Sequence, residues 1–266
     1  MGILNVTPDS FSDGGAYLDP DAAVAHAVEM ASEGADLIDV GGESTRPGAR
    51  PIPVEEEAAR VVPIVTRLCR RLHVPISVDT SKAEVARRAI DAGADIVNDV
   101  TALRGDPAMA DVIARGGAGV ILMHMQGTPQ RMQRHPRYAD VVSDVCAFLR
   151  EATRRAQAAG ISQSRMLVDP GLGFGKSVRH NLELMRGLRS IVALGYPVVL
   201  GPSRKSFIGA VLDLDLPQRL AGTLACVAVA QQAGVHVVRV HDVRPSVQLL
   251  EMMRAIQEAH ATRREH

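Results

Sequence analysis

The chain has 266 residues, with 30 Lys plus Arg balanced by 30 Asp plus Glu. The resulting net charge of zero excludes a protein held on nucleic acid or anionic lipid by bulk charge, and an apolar fraction of 46% excludes an unfolded chain. No apolar run reaches the roughly eighteen residues of a membrane helix, MGILNVTPDS carries no signal-peptide pattern, and three scattered cysteines (Cys69, Cys146, Cys226) fit reduced thiols in a cytoplasm.

Eight short β-branched runs are predicted as strands: Gly2–Val6, Asp36–Gly42, Pro75–Thr80, Asp95–Val100, Gly119–Met125, Met166–Pro170, Pro197–Gly201 and His236–Asp242. They are apolar almost throughout, as strands buried on both faces should be. Helical spacing fills the intervals: Asp21–Glu33 through Val24, Ala27, Val28 and Ala31, Val54–Leu72 through Val61, Val65 and Leu68, then Asn181–Leu188 and Val243–His260. Gly34, Gly93, Gly160, Gly195 and Gly234 are placed to end helices. Leu220–Ala233 is small and apolar around most of its circumference, which predicts a helix buried on more than one side, at a homodimer interface or against the barrel. Eight strand–helix units without a linker predict an α/β fold: a single (β/α)8 TIM barrel spanning residues 1–266. A doubly wound sheet is second choice, because no Gly-rich first turn is present.

In such a barrel the site forms where the strands end. Asp79, Asn98, Asp169 and Lys205 stand at strand ends and suit a flat heterocycle with donors and acceptors, since a carboxylate accepts two parallel N–H bonds. Asn5, Thr45, Arg46, Ser203, Arg239 and His241 form a second group suited to phosphate oxygens. The plainer alternatives are a structural ion pair for Arg239 and a satisfied core imidazole for His241. Asp99, Asp242 and Thr80 read as loop anchors. The turn Gly171-Leu-Gly-Phe-Gly-Lys176 is not a phosphate loop: its spacing is one residue short and it follows Pro170. It reads as a tight loop whose backbone passes close to a ligand.

MGILNVTPDSFSDGG (1–15) and IDVGGESTRPG (38–48) resemble the two signature segments of the dihydropteroate synthase family of pterin-binding enzymes. The likeness continues in order through SVDTSK, NDV, LMHMQG, LVDPGLGFGK, SRKS and RVHDV. It implies a transferase of folate biosynthesis, the target of sulfonamides, that joins 6-hydroxymethyl-7,8-dihydropterin diphosphate to 4-aminobenzoate and releases diphosphate. Carried over, the resemblance places the pterin against Asp79, Asn98, Met123, Asp169, Phe174, Gly201 and Lys205. It places the diphosphate against Asn5, Thr45, Arg46, Arg239 and His241, with Mg2+ bound through Asn5. The aminobenzoate falls to Phe11, Pro47, Lys205 and Ser206. Catalytic roles fall to Asp13, Lys205, Arg239 and His241 in a dissociative reaction, with the Asp13 carboxylate over the developing cation. A homodimer of the cytoplasm is implied.

Two departures stand out: Pro202 where many members carry Met or Ala, and a first strand that starts at Gly2 without the short segment members usually carry before it, so an upstream segment is expected. A corrinoid-linked pterin methyltransferase would share the barrel and the Asp/Asn pocket but not the cations of Thr45-Arg46, Ser203-Arg204-Lys205 and Arg239. A non-catalytic paralogue would be expected to have broken loops, whereas TPDSFSDGG and GESTRPG are intact.

Overall fold

A computed structural model describes residues 1–7, 19–45 and 48–259. The strands are β1 (Gly2–Asn5), β2 (Ile38–Gly41), β3 (Ile76–Asp79), β4 (Ile96–Asp99), β5 (Gly119–Met123), β6 (Met166–Asp169), β7 (Val199–Leu200) and β8 (Val237–Val238). The helices are α1 (Pro20–Ser32), α2 (Val54–Leu68), α3 (Ala83–Asp91), α4 (Met109–Gly116), α5 (Val141–Ala158), α6 (Val178–Arg186), α7 (Leu188–Val192), α8 (Ser206–Leu212), α9 (Leu220–Ala233) and α10 (Val243–Glu258).

Strands β1 to β6 pair in parallel in sequence order, and β7 pairs with β8. Parallel bridges Val168–Val198 and Gly2–Val240 join the two pieces at both ends. The ring is therefore closed, as the eight-unit pattern predicts. At the last seam Ile3 N donates to Val240 O at 3.0 Å and Val240 N to Met1 O at 3.0 Å. Strands β7 and β8 are shorter than predicted because residues 197 and 198 give no backbone donor to a neighbouring strand. Pro197 has no N–H to donate, and the Val198 N–H goes to the His236 ring at 3.1 Å instead of to a neighbouring strand.

Leu4, Val40, Val78, Val97, Val120 and Val168 are buried, with Val24, Ala27, Val61, Val65 and Leu68 of the helices packed over the strands. Gly34, Gly93, Gly160, Gly195 and Gly234 all have positive φ and end helices as expected. The segment predicted as Asn181–Leu188 is two helices, α6 and α7, that meet at Gly187, where a β-carbon would lie 2.6 Å from Val142. Helix α9 is covered by the barrel on one side only, which leaves the homodimer alternative open. It buries Thr223, Val227 and Ala230 and exposes Ala221, Ala225 and Val229, so its outer face is not packed on the barrel.

Candidate active site

The register places Asn5, Gly41, Asp79 and Asn98 side by side at one level of the barrel. Gly41 leaves the space between its neighbours open: a β-carbon there would sit 3.5 Å from Asp79 Cβ and 3.7 Å from Asn5 Oδ1. Asp169, at the end of β6, accepts from Gly171 N at 2.6 Å through Oδ1. Burial pushes its carboxyl up, opposed first by Lys205. Asp79 is pushed up to about 7, chiefly by burial, with Arg239 opposing and the Asp39 carboxylate adding repulsion.

Lys205, at the end of the β7 loop, donates to Leu172 O and lies 4.8 Å over the Phe174 ring. Burial pulls its ammonium down to about 8, with Asp169 opposing. Gly201 is buried beside it, and a β-carbon there would lie 3.9 Å from Lys205 Nζ. Met123 packs with Val100, Met125, Met132 and Phe174 into an apolar wall on the same side. The four heterocycle-type groups, Met123, Phe174 and Gly201 are thus brought together around one mouth.

The phosphate-type group is only partly as expected. Ser203 Oγ pairs with His241 Nδ1 at 2.9 Å and accepts from His241 N at 3.2 Å. Arg239 does not stand apart from the heterocycle group. Its Nε donates to Asp39 Oδ2 at 2.6 Å and its Nη2 to Asp79 Oδ2 at 3.0 Å, the structural pairing that was the plainer alternative. Arg204, whose backbone is left-handed (φ 56°), is also committed: it pairs with Asp242 at 2.5 Å and 3.0 Å. It therefore no longer counts among the cations that speak for a diphosphate. Thr45 is half-buried and Ser206 opens α8, exposed. Phe11, Asp13, Arg46 and Pro47 lie outside the described residues.

The loop anchors behave as expected. Asp99 accepts from Thr101 N, Thr101 Oγ1 and Leu103 N at 2.7–2.8 Å, and Thr80 Oγ1 accepts from Lys82 N. The glycine turn is tight for a reason within the protein as well. Its close approach is to protein: a β-carbon at Gly171 would lie 2.0 Å from His124 O, and one at Gly175 2.6 Å from Gln126 O. Asn181 pins the turn by accepting from Gly173 N at 2.7 Å.

Three features escaped the sequence reading. Asp39 lies wholly buried within β2, bonded to Asn98 Nδ2 at 3.2 Å as well as to Arg239; a lone carboxylate inside the run LIDVG was the available signal. Buried Lys176 donates to His124 Nδ1 (2.8 Å), His124 O (3.4 Å) and Phe174 O (3.0 Å), and burial pulls it down to about 7. Lys82 bridges Glu43 and the buried Glu57, both at 2.5 Å.

Residues 1–241 match the family model for pterin binding enzymes. The chain is 46% identical to the dihydropteroate synthase of Escherichia coli K12 over 264 residues, 99% of this chain and 93% of the relative. This chain belongs to the dihydropteroate synthase family. Solved structures of the family superimpose closely on it. That of the Yersinia pestis enzyme with a sulfonamide drug complex has a TM-score of 0.92 at 44% identity, covering 97% of this chain and 93% of the other. That of the Xanthomonas albilineans enzyme with 4-aminobenzoic acid has a TM-score of 0.91 at 49% identity, covering 96% and 92%. The dihydropteroate synthase barrel is thus the frame on which Asp79, Asn98, Asp169 and Lys205 meet.

Proposed function

We infer that this chain is a transferase that joins 6-hydroxymethyl-7,8-dihydropterin diphosphate to 4-aminobenzoate, giving dihydropteroate and diphosphate in folate biosynthesis. The observation that carries the reading is the convergence of Asp79, Asn98, Asp169 and Lys205 on one mouth, in a chain whose family is dihydropteroate synthase.

Asp169 and Asp79 accept the N–H groups of the pterin, Asn98 adds an amide, and Phe174 and Met123 cover the ring. Arg239, Ser203 and His241 stand at the β7 and β8 ends, where the diphosphate would be bound together with Asn5, Thr45 and Arg46. Among the described residues no three acidic, imidazole or thiol groups converge on one point. A Mg2+ ion would therefore take the Asn5 amide oxygen, water and substrate phosphate oxygens, a ligand set that this hard cation tolerates. Bound there, it would draw charge from the departing diphosphate. The reaction is dissociative in this reading. Lys205 and Arg239 hold the pterin and the leaving group, and the Asp13 carboxylate stabilises the cation that forms between them. Aminobenzoate would enter against Phe11, Pro47, Lys205 and Ser206.

Among the described residues no helix is long and apolar enough to cross a membrane. A cytoplasmic homodimer is the form we propose, with the exposed apolar stripe of α9 as part of its interface. Diphosphate release measured with each substrate alone and with both tests the activity. Release that requires both supports it. Release that is absent with both, or full without the arylamine, rejects it.

A further inference from the structure

Asp39 lies opposite Ile3 and Ser77 in the barrel register. It comes two residues before Gly41, so it shares that residue's inward face one layer beneath the rim. It is wholly buried. Removing a carboxylate from water is costly, and barrel layers are usually filled by branched apolar side chains. The charge has two specific uses here. Its Oδ2 receives Arg239 Nε at 2.6 Å and Asn98 Nδ2 at 3.2 Å, while Oδ1 has no partner among the described residues.

We infer that Asp39 is a positioning residue: one buried carboxylate oxygen sets both the amide of Asn98 and the guanidinium of Arg239, and so couples recognition of the heterocycle to recognition of the diphosphate. This rests on the roles given to Asn98 and Arg239 above. A carboxylate only accepts hydrogen bonds, so Asp39 fixes which way the Asn98 amide faces. The NH2 points down into the barrel, and Oδ1 remains as an acceptor for a ligand donor. The same oxygen takes the Nε edge of Arg239 and leaves the far edge of the guanidinium for an anion. Without Asp39 the amide is free to turn over, and the guanidinium is held by Asp79 alone.

The test uses two partial ligands, 6-hydroxymethylpterin and inorganic diphosphate with Mg2+, titrated separately by calorimetry into the full chain. Asn98→Ala should weaken the pterin alone, and Arg239→Met chiefly the diphosphate, with a smaller effect on the pterin through its bond to Asp79. Asp39→Asn, close to the same shape, should weaken both by about tenfold, within the range for groups that orient a ligand-binding side chain. In an Asn98→Ala background, Asp39→Asn should weaken diphosphate as before but pterin no further, which a general loss of packing would not reproduce. Asp39→Ser, with room for a water, carries the same expectation should the Asn variant fail to fold. Asp39 variants that melt cooperatively and bind either ligand within twofold of the parent would overturn the inference, as would an additive pterin loss in the double variant. If Asn98→Ala and Arg239→Met themselves leave both ligands unaffected, it is the reading of the site that fails.

Discussion

At the scale of single residues, Asp169 gives the sharpest expectation. Its Oδ1 is occupied by Gly171 N, which leaves one oxygen for the pterin. Asp169→Asn turns one end of that group into a donor, facing either the Gly171 N–H or the ligand. Losing a charge-assisted pair and stranding a buried donor costs about 3 kcal/mol or more. Calorimetry should show pterin affinity falling over a hundredfold, and a change under threefold would remove Asp169 from the pocket. Two buried groups also predict opposite pH slopes of stability. The folded Asp79 holds its proton to about 7, whereas an unfolded Asp releases it near 3.8. Between those values the folded state binds more protons, so this group's contribution declines as pH rises. Lys176 loses its proton near 7, against 10.5 in the unfolded chain, so its contribution grows as pH climbs through that higher window. Melting temperatures at pH 5, 7 and 9 should show Asp79→Asn flattening the acid-side slope relative to the parent and Lys176→Met flattening the alkaline one. Asp79, Asn98 and Asp169 were legible because each is polar where an apolar run stops, and Lys205 because it closes the short loop after one. Asp39 was not, because it sits inside such a run and its partner Arg239 is 200 residues away.

At the scale of elements, strands were read from the run of branched residues and helix ends from glycines, both signals local to the chain. What the sequence left open was set by contacts across the barrel. The lengths of β7 and β8 depend on where the Val198 N–H goes, and the open face of α9 depends on its neighbours. The glycine turn after β6 belongs to the same class. Sequence marks its glycines but not what they approach. With φ at +68° and the His124 carbonyl where its β-carbon would be, Gly171 has no room for a side chain. Gly171→Ala should destabilise the fold by about 3 kcal/mol or more, combining backbone strain with displacement of the β5 loop. Thermal melts of Gly171→Ala and of the exposed, uncrowded Gly160→Ala make the comparison. Gly160 shares a positive φ but meets nothing within 4 Å. Equal losses at the two positions would show that strain alone is responsible.

At the scale of the whole molecule, Val229 of α9 and Val211 and Leu212 of α8 expose apolar surface on adjacent helices. Exposed apolar side chains on neighbouring helices are the surface we propose for the dimer. Val229→Glu should convert a dimer to a monomer in sedimentation velocity and leave the mouth intact, since α9 contributes no group to it. An unchanged sedimentation coefficient in the parent and the variant would place the interface elsewhere.

The seam between β8 and β1 has a consequence for how the molecule is made. It joins Gly2 to Val240, nearly the full length of the chain, and the Arg239 link to Asp39 and Asp79 lies beside it. Contacts so distant in sequence form late, because a long loop must close first. On the ribosome the first strand must wait, its edge unpaired, until the eighth has emerged, an interval in which a chaperone would protect it from association. In refolding from denaturant, far-UV circular dichroism should recover before catalysis, with Arg239 reaching its carboxylates as the ring shuts. Simultaneous recovery of the two signals would show that the seam closes early.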